Sequence, residues 1–160
     1  MKRIVGILSF IALFFIETAN IYSQNWSKEQ LEVWAVVEKS WESWKNLDIE
    51  GSLVTIHEDY QGWSNRDALP VSKALAKKMY EEMSSSGKIS NFFINPARIV
   101  ITGNAAVVDY VFEFSAVYTN LEAEVPYNVT GKNAEFYVKD GGNWLLLGDM
   151  TIMNSSDDDD

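Results

Sequence analysis

Cysteine is absent from the 160 residues and histidine occurs once, as His57. The first absence excludes a disulfide framework, a thiolate metal site and a cysteine nucleophile. The second excludes a multi-histidine zinc centre within one chain. A carboxylate-rich site for a hard cation has no motif behind it, so no metal is expected. Phosphate-binding and dinucleotide-binding glycine patterns are missing, as is a G-x-S-x-G elbow, and no cofactor is expected. Basic residues are scarce: 13 Lys and Arg face 23 Asp and Glu, for a formal charge of −10. Such a chain repels nucleic acid and anionic lipid, which removes both as partners.

Apolar and aromatic residues are plentiful. Hydrophobic residues make up 47% and aromatics 13%, with six Trp and seven Tyr. That composition supports one packed domain, with rings for a core or for pocket walls. The charge is uneven. Asp157 to Asp160 form an acidic run, and residues 154–160 read as a solvated, disordered tail.

Residues 1–24 read as a secretory signal peptide. Lys2 and Arg3 give the positive start, and Ile4 to Ile16 is an uncharged run closed by Glu17. The run is too short for a comfortable membrane span. A secreted or periplasmic protein is expected, without a stable span after processing; an uncleaved anchor is the alternative. Cleavage fits best before Gln24, with Thr18-Ala19 as the alternative.

The domain is expected over residues 25–153. Ser27 and Gln30 form a capping box, and Leu31, Trp34, Val37, Trp41 and Trp44 follow on one face of a helix of about five turns. Asp48 caps a short second helix that carries Ile49, Leu53 and Ile56 inward. Tyr60 to Ser64 reads as a short strand, and Gly62 with Asn65-Arg66-Asp67 as turn chemistry. A third helix presents Leu75, Met79, Tyr80 and Met83. From Lys88 onward the period is two. Four strands are predicted: Ile89 to Thr102 with a bulge near Pro96, Ala105 to Tyr118, Tyr127 to Lys139, and Trp144 to Met153. Asp140-Gly141-Gly142-Asn143 is a hairpin turn signal.

Helix, short helix, short strand, helix and four long strands resembles the nuclear transport factor 2-like superfamily, with its SnoaL-like cyclases and ketosteroid isomerases. The segment I-H-E-D-Y-Q-G-W-S at 56–64, A-L-P at 68–70 and V-K-D-G-G-N-W-L-L-L-G-D at 138–149 resemble its secreted SnoaL-like branch of unknown function. The resemblance implies an α+β fold in which a cone-shaped, curved antiparallel sheet (the cystatin-like type) packs on three N-terminal helices. It also implies a cavity for a small apolar or amphipathic ligand and homodimers formed through the sheet.

Several residues could carry chemistry. His57 has the one side chain with an ordinary pKa near neutrality, and Asp59, two residues on, could hold its tautomer. The alternative is a histidine that bonds the end of the second helix or a loop. Asp149 interrupts an apolar strand and is a general base or neutral donor if it points inward, ordinary surface if not. Periodicity does not choose, because both faces of that strand are apolar. Tyr110 and Phe112 share the apolar face of their strand with pocket-lining potential. Asp109 and Glu113 take the other face. Tyr60, Trp63 and Trp41 complete the ligand-contact candidates. The tyrosine–aspartate–aspartate set of ketosteroid isomerases and the aspartate–arginine–aspartate set of limonene epoxide hydrolases cannot be placed. Three functions therefore stand open: a binder of small molecules, an isomerase, cyclase or hydrolase using His57 or Asp149, and a dimeric interaction module.

Overall fold

The computed structural model describes residues 25–119 and 124–155. The signal segment, residues 120–123 and the acidic run lie outside the described residues.

Helix α1 (Lys28–Lys45) begins as its sequence dictates. Ser27 accepts from the Gln30 amide at 3.3 Å, and the Gln30 side chain accepts from the Ser27 amide at 2.8 Å. Gln30 also donates to the Ile99 carbonyl at 2.6 Å, which ties the start of the helix to the sheet. Val33, Trp34, Val37 and Trp41 are buried, while Leu31, expected in the core, is half exposed. At about 100° per residue, Val33, Val37, Trp41, Trp44 and Trp34 share one arc and Leu31 falls outside it. Helix α2 (Ile49–Leu53) is capped by Asp48, whose carboxylate accepts from the Gly51 amide at 2.9 Å.

Helix α3 (Lys73–Ser86) buries Ala76 and turns Tyr80 and Met83 inward. Leu75 and Met79, assigned to the apolar face from sequence, sit on its flank and remain partly exposed. The true face is centred about a third of a turn away from Leu75.

Six strands form one sheet in the order β2-β1-β6-β5-β4-β3. They are β1 (Ile56–Ser64), β2 (Val71–Ser72), β3 (Gly87–Thr102), β4 (Ala105–Thr119), β5 (Glu124–Asp140) and β6 (Asn143–Ser155). The four long strands pair antiparallel, as expected. The sheet is mixed, however, because β1 runs parallel to β6 and sets Gly62 opposite Asp149. β1 starts at Ile56 rather than Tyr60, so Gly62 is a strand residue, not a turn. β6 continues to Ser155, so Asn154 and Ser155 belong to the sheet rather than to the tail. The register shifts between Pro96 and Arg98, where a bulge is predicted, since proline cannot donate to a ladder.

The inner face of β4 carries Ala106, Val108, Tyr110, Phe112, Phe114 and Ala116, all buried in the core. Trp34 meets Tyr110 edge to face at 5.7 Å, and Trp41 meets Phe112 at 5.4 Å. These rings close the core at one end of the cone. Toward the other end the helices and the sheet part.

Candidate functional site

The gap between helices and sheet is a cavity of about 610 Å³. Its walls are mainly rings and methionines: Trp41 and Trp44 from α1, Tyr80 and Met83 from α3, and Phe112 and Phe114 from β4. Its polar floor comes from β1, β5 and β6.

The floor is built around two carboxyl groups. Asp149 accepts from the Tyr60 hydroxyl at 2.7 Å and lies 3.0 Å from the Thr151 hydroxyl. Tyr60 can cross strand β1 to reach it because Gly62 has no side chain. A Cβ there would collide with both the Tyr60 hydroxyl and the Asp149 carboxyl. Glu135 is buried one strand away. It accepts from Tyr110 at 2.7 Å, Tyr137 at 2.6 Å and the Asn133 amide at 3.0 Å. Tyr110 in turn accepts from the Trp41 indole at 3.0 Å and from Asn133 at 2.9 Å.

Asn133 and Thr151 join the two halves. The Asn133 amide nitrogen faces Tyr110 and Glu135, so its carbonyl faces the Thr151 hydroxyl, at 2.8 Å. The reverse orientation would set oxygen against the Glu135 carboxylate. Thr151 thus has two oxygen acceptors and one hydrogen. That hydrogen is shared between the Asn133 carbonyl and the Asp149 carboxylate. Burial pushes Glu135 up to about 7, against the pull of its tyrosine donors, and charge on Asp149 raises it further. Burial also raises Asp149, with Tyr60 and Thr151 opposing. Burial thus raises both carboxyls of the floor, and each is held by side-chain donors.

Tyr80 differs from the other tyrosines of the floor. Its hydroxyl makes no hydrogen bond among the described residues, although the ring lines the cavity within the field of Asp149 and Glu135. Burial is the main cause that pushes it up to about 12, so it stays neutral.

Asp149, Tyr60, Trp63, Tyr110, Trp41 and Phe112 all line this cavity. Trp63 stands at the rim, where its indole donates to the Asp67 carbonyl at 2.9 Å. His57 and Asp59 do not line it. They lie on the face of β1 opposite Tyr60 and Gly62, as period two requires. The His57 ring nitrogen accepts from the Asp59 backbone amide at 3.1 Å, and the Asp59 carboxylate is exposed. The two residues form a local turn contact, and neither meets Asp149. Asp109 and Glu113 are on the outer face, where Asp109 pairs with Arg98 at 2.6 Å.

Glu135, Asn133 and Thr151 carry the floor and escape the sequence reading, while the sequence assigns Tyr80 to the apolar face of its helix and not to the site. On β5, Val129, Asn133, Glu135 and Tyr137 share a face, while Ala134 and Phe136 share the other. A hydrophobic count alone would turn Ala134 and Phe136 inward. The register with Tyr110, visible only in the structure, decides otherwise. Among the described residues, no group of three His, Asp or Glu side chains is placed to hold a metal ion.

A curved mixed sheet wrapped on N-terminal helices is the nuclear transport factor 2-like α+β cone fold, and solved structures agree. A conserved protein from Planctomyces limnophilus superposes with a TM-score of 0.74 at 15% identity, over 79% of this chain and 97% of that one. A ketosteroid isomerase-like protein from Erwinia carotovora atroseptica gives 0.67 at 15% identity, over 80% and 98%. A nuclear transport factor 2-like protein from Cytophaga hutchinsonii gives 0.65 at 16% identity, over 81% and 100%. No family model and no curated protein matches the sequence. At these identities the likeness is one of fold, and function must be argued from the site.

Proposed function

We propose that the protein binds one small apolar or amphipathic organic molecule in the cone cavity. The observation that carries this is the cavity itself: about 610 Å³ of space walled by rings and floored by a polar cluster. The size suits a drug-sized ligand. The N-terminal segment supports a site of action outside the cytoplasm.

Two further readings have support of their own. Asp149 lies in the cavity with a raised pKa, which suits a general acid or base, so turnover of the ligand is the second reading. The outer sheet face exposes Val111, Phe136, Met150 and Ile152, which suits a homodimer through the sheet.

An apolar fluorescent dye tests the first reading. Ala76 is buried on α3 and lines the cavity. Ala76→Trp would fill the space and weaken dye binding about tenfold or more, whereas Glu113→Ala on the outer face would leave it unchanged. Equal effects of the two substitutions would overturn the reading.

A further inference from the structure

We infer that the ligand is an organic cation, an apolar body bearing an amine, whose ammonium group sits between Asp149 and Tyr80. This rests on the cavity reading above and names the class of molecule.

The hydrogen-bond inventory is the first argument. The donors of the floor are spent internally. Tyr60 and Thr151 point at the Asp149–Asn133 cluster, and Tyr110, Tyr137 and Asn133 point at Glu135. What remains open to a ligand is mainly acceptor capacity: the further lone pairs of Asp149 and the Tyr80 oxygen. Beside Asp149 on the floor, a ketone or carboxylate would find one donor, Tyr80, the others (Ser40, Trp44, Tyr118 and Arg66) standing elsewhere on the wall and rim. An ammonium group would find two acceptors.

The sign of the field is the second argument. Among the described residues that line the cavity, the charged side chains are Asp149, Glu135, Asp67 and Arg66. Arg66 is the sole cation of these and sits at the rim, donating to the Tyr127 hydroxyl at 2.6 Å. No cation balances the floor. Buried carboxyl groups in that setting are costly as anions and gain from a bound positive charge. The whole chain, at −10, adds attraction in the same direction.

The walls are the third. Trp41, Trp44, Tyr60, Tyr80, Phe112 and Phe114 surround the space, and the faces of such rings attract an alkylammonium ion as well as packing on its apolar body. An anionic ligand is disfavoured by all three features.

Three probes that share a phenylethyl body decide the matter: 2-phenylethylammonium, 2-phenylethanol and 3-phenylpropionate, titrated calorimetrically at neutral pH. The cation is expected to bind about tenfold or more tighter than the alcohol, and the carboxylate more weakly than either. Asp149→Asn should shrink the cation's advantage to about threefold or less. Tyr80→Phe removes a hydroxyl with no hydrogen-bond partner among the described residues and so leaves the fold intact. It should weaken the cation by about threefold or more. Alcohol binding that equals or exceeds cation binding would overturn this inference and leave the cavity reading standing. Failure of all three probes to bind would count against both.

Discussion

Gly62 and Glu135 show how much rests on single residues. Gly62 leaves the space through which Tyr60 reaches Asp149, so Gly62→Ala should cost about 1–3 kcal/mol by overpacking and break that hydrogen bond. Urea unfolding would read the loss. Glu135 has a folded pKa near 7 against an ordinary value of 4.5. A carboxyl raised in this way contributes stability fully below about pH 4.5 and loses it as pH climbs through 7. The protein should therefore lose roughly 3 kcal/mol between pH 4.5 and pH 8.5, with Asp149 adding in the same direction. Glu135→Gln should flatten the profile, and an unchanged slope in that variant would contradict the assignment. Such residues were only partly legible in the sequence. Asp149 stood out because a carboxylate in an apolar run demands a partner. Glu135 did not, since a glutamate between Ala134 and Phe136 reads as the solvent side of an alternating strand. His57 drew attention by being the lone histidine, and the face of β1 takes it away from the cavity.

Helices, strands and turns were far easier to read, because capping and turn chemistry are local. Ser27 and Gln30 form their capping box as spaced, and Ser27→Ala should cost about 1 kcal/mol in thermal or urea unfolding. The hairpin between β5 and β6 closes on Gly141 and Gly142, at φ 54 and 84. These are the positive dihedrals that a two-residue turn requires. Gly142→Ala should cost about 1–2 kcal/mol, which unfolding would again measure. The faces of helices were less legible than their extents. On α1 the pair Val33 and Val37 pulls the buried arc away from Leu31, and on α3 the small Ala76 marks the true contact. The parallel pairing of β1 with β6 had no local signature at all. It is a long-range contact, yet it sets Gly62 beside Asp149 and so builds the floor.

At the scale of the molecule, the cone has two surfaces with different prospects. The outer face, with Val111, Phe136, Met150 and Ile152 exposed, should bring two copies together. Sedimentation should show a dimer that Met150→Lys converts to monomer, and a wild-type monomer at micromolar concentration would contradict this. The inner face should hold the ligand. The fold was legible because the order and lengths of its elements are written in periodicity. The identity of the ligand was not, because it depends on which side chains converge. The central claim is that the cavity binds one small organic molecule. Native mass spectrometry of wild type and Ala76→Trp, each incubated with excess 2-phenylethylammonium and 2-phenylethanol, tests it most directly. One adduct per chain in the wild type and none in the variant is the predicted result. Equal adduct numbers in both proteins, or none in either, would contradict the account.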